Sequence, residues 1–147
     1  MKKMNFDEKC FYCSKNEDLD GLMIKICDLE VSTVYLFKEQ TLKGRCNVVF
    51  KEHKSEITDL TSEEVAAFAN DVAKTAKAIQ KAFNPDKINY GAFADTMKHL
   101  HFHVVPKYKD GPSWGKTFDM MPENKVLLSN EEYSEIIEKI SSSLSDV

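Results

Sequence analysis

The chain has 147 residues, 42% hydrophobic and 30% charged, a composition that suits one globular domain with a single core. A formal net charge of −4 supplies no basic field to recruit nucleic acid, so a phosphorylated ligand has to be held by local groups. No stretch approaches a membrane span, and Asp7 and Glu8 interrupt the N-terminus before any apolar run of signal-peptide length, which makes the cytoplasm the expected location.

The first feature along the chain is Cys10-Phe-Tyr-Cys13. In a reducing compartment such a pair reads either as a redox couple or as half of a zinc site. The strand before it and the helix after it that a thioredoxin-like pair expects are not evident. Five segments rich in β-branched and aromatic residues then read as strands: 22–26, 32–37, 46–50, 88–93 and 100–105. The connection "KEQTLKGR" is short enough to join neighbouring antiparallel strands. Cys27 and Cys46 fall in or beside these apolar runs and read as small buried hydrophobes.

One long helix interrupts the strands. Val65, Phe68, Val72, Ala76, Ile79 and Phe83 form an apolar stripe at three-to-four spacing. Thr61 with Glu64 predicts a capping box, and Asn84-Pro85 a stop. A second helix is predicted from about Asn130 to Ile140, opened by Ser129 and Glu132, and the serine-rich tail "SSSLSDV" is expected to fray. The fold class predicted is α+β: a mainly antiparallel sheet of about five strands, one long helix and a C-terminal helix. Between the last strand and the last helix lie about twenty residues without regular pattern, and a loop of that size is often functional.

The stretch "KHLHFHVVPKY" carries three of the chain's four histidines. Side chains on a strand alternate faces, so His99, His101 and His103 are expected on one face, with Leu100, Phe102 and Val104 on the other, under the long helix. Two chemistries fit a row of imidazoles. Alternate histidines can grip a catalytic metal and leave a position open for water. Alternatively, a neutral imidazole attacks phosphorus and forms a phospho-histidine intermediate while its neighbour binds the phosphate or relays a proton.

"HLHFHVV" resembles the signature of the histidine-triad family, and the likeness extends over roughly residues 5–108: a Cys-x-x-Cys, two strands, a strand ending in Lys-x-His, a long helix and the triad strand. On that likeness residues 1–147 form one domain, with 109–147 adding a loop and the C-terminal helix. The resemblance implies a nucleotide hydrolase or nucleotidyl transferase acting at an α-phosphate, and a homodimer. It implies that His101 is the nucleophile and His103 the phosphate-binding, proton-relaying partner, with Thr96 placed near the phosphate. It also implies a structural zinc ion held by Cys10, Cys13, His53 and His99.

Where many relatives carry an acidic or amide residue to hold the ribose, this chain has Phe37, and Arg45 occupies a frequent histidine position. Asn47, Asn89 and Asp95 are the candidates to compensate. Lys98, Lys107, Lys109 and Lys116 are candidates to steer an anionic substrate, and Trp114 to cap a base. Two rivals to the hydrolase stand: a nucleotide-binding module with negligible turnover, and a zinc hydrolase whose metal is held by three histidines.

Overall fold

The computed structural model describes residues 5–146. Five strands form one sheet: β1 (Met23–Asp28), β2 (Ser32–Phe37), β3 (Cys46–Phe50), β4 (Lys87–Gly91) and β5 (His101–Lys107). Their order is β1-β2-β3-β5-β4, and every neighbouring pair is antiparallel. The predicted α+β architecture is therefore observed. The strands β2 and β3 span the predicted residues, whereas β1, β4 and β5 are shifted by one or two positions at their ends.

Two short helices precede the sheet, α1 (Phe11–Ser14) and α2 (Glu17–Leu22). Neither was predicted, because four and six residues are too few to show a helical period. The Asn16 side chain accepts from the backbone N–H groups of Asp18 and Leu19, and that cap starts α2. The long helix α3 runs Ser62–Phe83 and the last helix α4 Asn130–Leu144. Both capping boxes form as predicted, Thr61 with Glu64 and Ser129 with Glu132. The expected fraying of the tail is corrected as far as Leu144: α4 continues through Ser141–Leu144, and Ser143 is buried. Val147 lies outside the described residues.

The sheet has two occupied faces, and this division positions the site. On one face Val34, Leu36, Cys46, Val48, Phe50 and Val104 pack against Phe68, Val72, Ala76 and Ile79 of α3 and Tyr133, Ile136 and Ile140 of α4. On the other face Tyr35, Phe37 and Val49 meet Cys10, Tyr12, Leu19 and Met23. Because both faces are covered, every residue of β2 and β3 is buried and the two strands show no alternation of apolar and polar residues. Gly44, at φ +98°, turns the chain into β3 where a Cβ would press into the Phe83 ring at 2.8 Å. That turn delivers Arg45 to the start of the central strand.

The bond between helix and sheet concentrates at Phe68, which meets Phe50 and Phe102 edge-to-face at 5.5 Å each. Phe102 lies between the two catalytic candidates on β5, so α3 steadies the strand that carries them. Phe68→Ala is expected to cost about 3–5 kcal/mol, read as a lower denaturant midpoint with an unchanged slope in equilibrium unfolding.

Candidate active site and metal cluster

The histidine row does not lie on one continuous strand. The strand begins at His101, and the chain bends just before it: the His99 N–H donates to the Met97 carbonyl at 2.9 Å, and Leu100 N–H to the Lys54 carbonyl at 2.7 Å. His99 is thus set apart from the pair behind it, which corrects the expectation of three histidines on one strand.

His99 belongs to a cluster with Cys10, Cys13 and His53, whose ligand atoms all lie within 4.8 Å of one another. Its Nδ1 is 3.4 Å from Cys10 Sγ, 3.6 Å from Cys13 Sγ and 3.1 Å from His53 Nδ1, and Cys13 Sγ is 3.4 Å from His53 Nδ1. A tetrahedral ion with bonds of about 2.0–2.1 Å to nitrogen and 2.3 Å to sulfur requires separations of roughly 3.3 Å between nitrogens and 3.6 Å between nitrogen and sulfur. These four separations fall close to those values. Outer contacts aim the ligand atoms as well: His99 Nε2–H donates to the Phe50 carbonyl at 2.6 Å, and His53 Nε2 is 4.0 Å from an Asp7 carboxylate oxygen. Burial, joined by the neighbouring His53 and His101, pushes His99 down to about 4. It is therefore neutral and keeps a lone pair on Nδ1.

His101 and His103 line a cavity of about 870 Å³, in the usual size range of small-molecule sites. Their ring centroids are 5.1 Å apart. His101 Nδ1 is 2.7 Å from the His99 carbonyl; a carbonyl only accepts, so Nδ1 carries the proton and Nε2 the free lone pair. Burial lowers the basicity of His101. It also pushes His103 down to about 3, with His101 and the Arg45 cation adding to the effect, so both rings are neutral at pH 7.

Asp95 and Thr96 line the same cavity, as does Asn89. They follow Ala94, whose φ of +60° is unusual for a residue with a Cβ and turns the chain along the rim. From the long loop come Thr117, Phe118 and Met120, so that loop does wall the cavity. Lys107 and Trp114 are placed elsewhere, on an adjoining groove that shares Lys87 and Asn89 with the cavity. Lys107 is buried, and its ammonium donates to the Lys116 carbonyl. Asn47 is buried behind the pair and gives its amide N–H to the Tyr12 hydroxyl at 3.3 Å.

Two participants escaped the sequence reading. Tyr12, the aromatic residue inside Cys-x-x-Cys, lies 5.4 Å from the His99 ring and 5.2 Å from the His101 ring, centroid to centroid, so it fills the space between cluster and cavity. Phe93 reaches the His103 ring at 6.3 Å. The only signal for either was an aromatic residue close to a motif.

A pair of neutral imidazoles facing a cavity, beside a two-cysteine, two-histidine cluster on an antiparallel α+β sheet, describes the class of site. The chain belongs to the HIT domain family, whose profile matches residues 24–110. It is 29% identical over 136 residues to the adenosine 5′-monophosphoramidase of Schizosaccharomyces pombe, covering 86% of this chain and 98% of that one. Among solved structures, a histidine triad protein of Sinorhizobium meliloti superimposes with a TM-score of 0.79 at 22% identity, covering 87% of this chain and 94% of that one. A zinc-bound histidine triad family protein of Mycobacterium smegmatis gives 0.67 at 22% identity, covering 93% and 94%.

Purified protein is expected to carry one tightly held metal ion per chain by elemental analysis. Cys10→Ser should abolish the stoichiometric metal and cost on the order of 3 kcal/mol, or about 6–12 °C in Tm.

Proposed function

We propose that this protein is a nucleotide hydrolase or nucleotidyl transferase that cleaves at the α-phosphate of a dinucleoside polyphosphate or a nucleoside phosphoramidate. The observation that carries this reading is the tautomer of His101: its Nδ1–H is bound to the His99 carbonyl, which leaves Nε2 as a nucleophile at the cavity wall. In the first step Nε2 attacks the α-phosphorus, a P–N bond forms, and the bond to the amine or phosphate leaving group breaks. His103 Nε2–H hydrogen-bonds the phosphoryl oxygens, and the proton that the leaving amine or phosphate takes up is drawn from solvent water and handed on beside His103. Water then attacks the nucleotidyl-histidine and releases a nucleoside monophosphate. Likeness to the fission-yeast phosphoramidase supports the same substrate class.

Thr96 offers a hydroxyl to the phosphate. Asn89 and Asp95, both on the cavity wall, hold the ribose hydroxyls that Phe37 cannot. The groove of Lys107 and Trp114 takes the far end of the substrate. The cluster of Cys10, Cys13, His53 and His99 holds zinc, for which thiolates and imidazoles in a tetrahedron are well matched. Four protein ligands close its coordination shell, so the ion is structural and the chemistry belongs to the histidines. His101 and His103 stand outside the cluster, which weighs against a three-histidine catalytic metal. Tyr90 on the edge strand β4 and the nearby Phe93 are exposed and supply apolar surface for a homodimer.

The decisive assay is release of AMP from adenosine 5′-phosphoramidate. Turnover by the wild type, reduced on the order of 10³-fold or more by His101→Gly, is the expected result. Tight AMP binding with no turnover on this substrate or on diadenosine polyphosphates would overturn the enzyme reading in favour of a nucleotide-binding module.

A further inference from the structure

Arg45 is 1% exposed, and it does not line the cavity. The carbon of its guanidinium stands 4.1 Å over the Phe37 ring and 5.4 Å from the Phe118 ring. Nη1 donates to the Met120 carbonyl at 2.9 Å; Nη2 is 3.2 Å from the Met120 sulfur and 3.4 Å from His103 Nδ1. Nε has no hydrogen-bond partner among the described residues. Glu39 and Asp119 act on the charge through space, and neither forms an ion pair with it among the described residues.

Burying a guanidinium without a contacting carboxylate is costly, and the aromatic faces return only part of that cost. Burial pushes Arg45 down to about 10, which still leaves it a cation at neutral pH. Its contact with His103 has one possible polarity. A guanidinium has donors and no acceptor, so Nη2 gives the hydrogen and Nδ1 receives it. A neutral imidazole that accepts at Nδ1 must carry its proton on Nε2.

The two departures from the family pattern explain one another here. A carboxylate at position 37 would draw the guanidinium into an ion pair. Phe37 instead offers a face without an acceptor, so the N–H groups of Arg45 remain available to Met120 and His103.

We infer that Arg45 is a positioning residue that locks His103 in the Nε2–H tautomer, so that the cavity meets a hydrogen-bond donor on His103 beside the lone pair on His101. The catalytic consequence rests on the proposed α-phosphate chemistry, whereas the tautomer itself does not. Two neighbouring imidazoles, each neutral, are thereby given opposite roles by the partner of the second nitrogen: the His99 carbonyl for His101 and the Arg45 cation for His103. The buried cation also favours an anionic group in front of His103.

The test is a long-range ¹H–¹⁵N correlation spectrum of the histidine rings in full-length, metal-loaded, ¹⁵N-labelled protein at neutral pH. His103 is expected with Nε2 protonated and Nδ1 bare, and His101 with the reverse. In Arg45→Met, His103 is expected to lose its fixed tautomer while His101 keeps its own. The same variant should lower kcat about 10- to 100-fold with little change in KM, the size typical of a group that orients a ring through its other nitrogen. Arg45→Lys, which keeps a donor and a charge, should restore part of it. A wild-type His103 with Nδ1 protonated overturns the inference even if no variant folds, and so does an unchanged His103 in folded Arg45→Met. Wild-type protein that shows the expected tautomers but releases no nucleotide leaves this inference standing and removes the proposed reaction instead.

Discussion

A neutral imidazole has two nitrogens and one proton, and the partner of one nitrogen decides what the other can do. Three histidines within five residues are sorted by this constraint alone. His99 gives its proton to the Phe50 carbonyl and turns a lone pair towards two thiols. His101 gives its proton to the His99 carbonyl and keeps a lone pair for the cavity. His103 receives a hydrogen from Arg45 and is left with a proton to offer. Sorting of this kind needs dry surroundings, because water would satisfy either nitrogen equally well. The covered faces of the sheet supply them, and all three histidines are buried.

The sheet therefore acts as a partition. One face is an ordinary apolar core under α3 and α4. Its other face is lined at β5 by imidazoles and at β2 and β3 by Phe37, Tyr35 and Asn47, with the N-terminal segment laid across it. Tyr12 connects the two functional regions, since its ring touches both His99 and His101. The cysteine–histidine cluster and the cavity-lining His101 thus share a neighbour.

Much of this was legible in the sequence, for identifiable reasons. The strands β2 and β3 are continuous runs of residues that pack well on a pleated surface, and both long helices announce their starts by capping boxes whose side chains do bond as the spacing implies. Cys10, Cys13, His53 and His99 were anticipated as one cluster through family likeness, although 86 residues separate Cys13 from His99. Other features depended on tertiary context. The bend at Met97–His99 comes from a backbone hydrogen bond that no residue pattern advertises. The serines of α4 become helical because Ile136 and Ile140 dock on the core and carry the next turn with them. Arg45 looked like a substitution in a family position; only burial against Phe37 and Met120 brings it to His103.

The long span between Cys13 and His99 also governs the order in which the molecule can be made. A ribosome adds about 5–20 residues per second, so the 86 residues between the two take roughly 4–17 s to synthesise. Throughout that interval the two thiols are already outside or entering the exit tunnel, while the histidine that completes their cluster does not yet exist. Until then they are exposed to oxidation and to stray soft metals. That exposure ends only when β5 pairs with β3 and His99 reaches the two thiols.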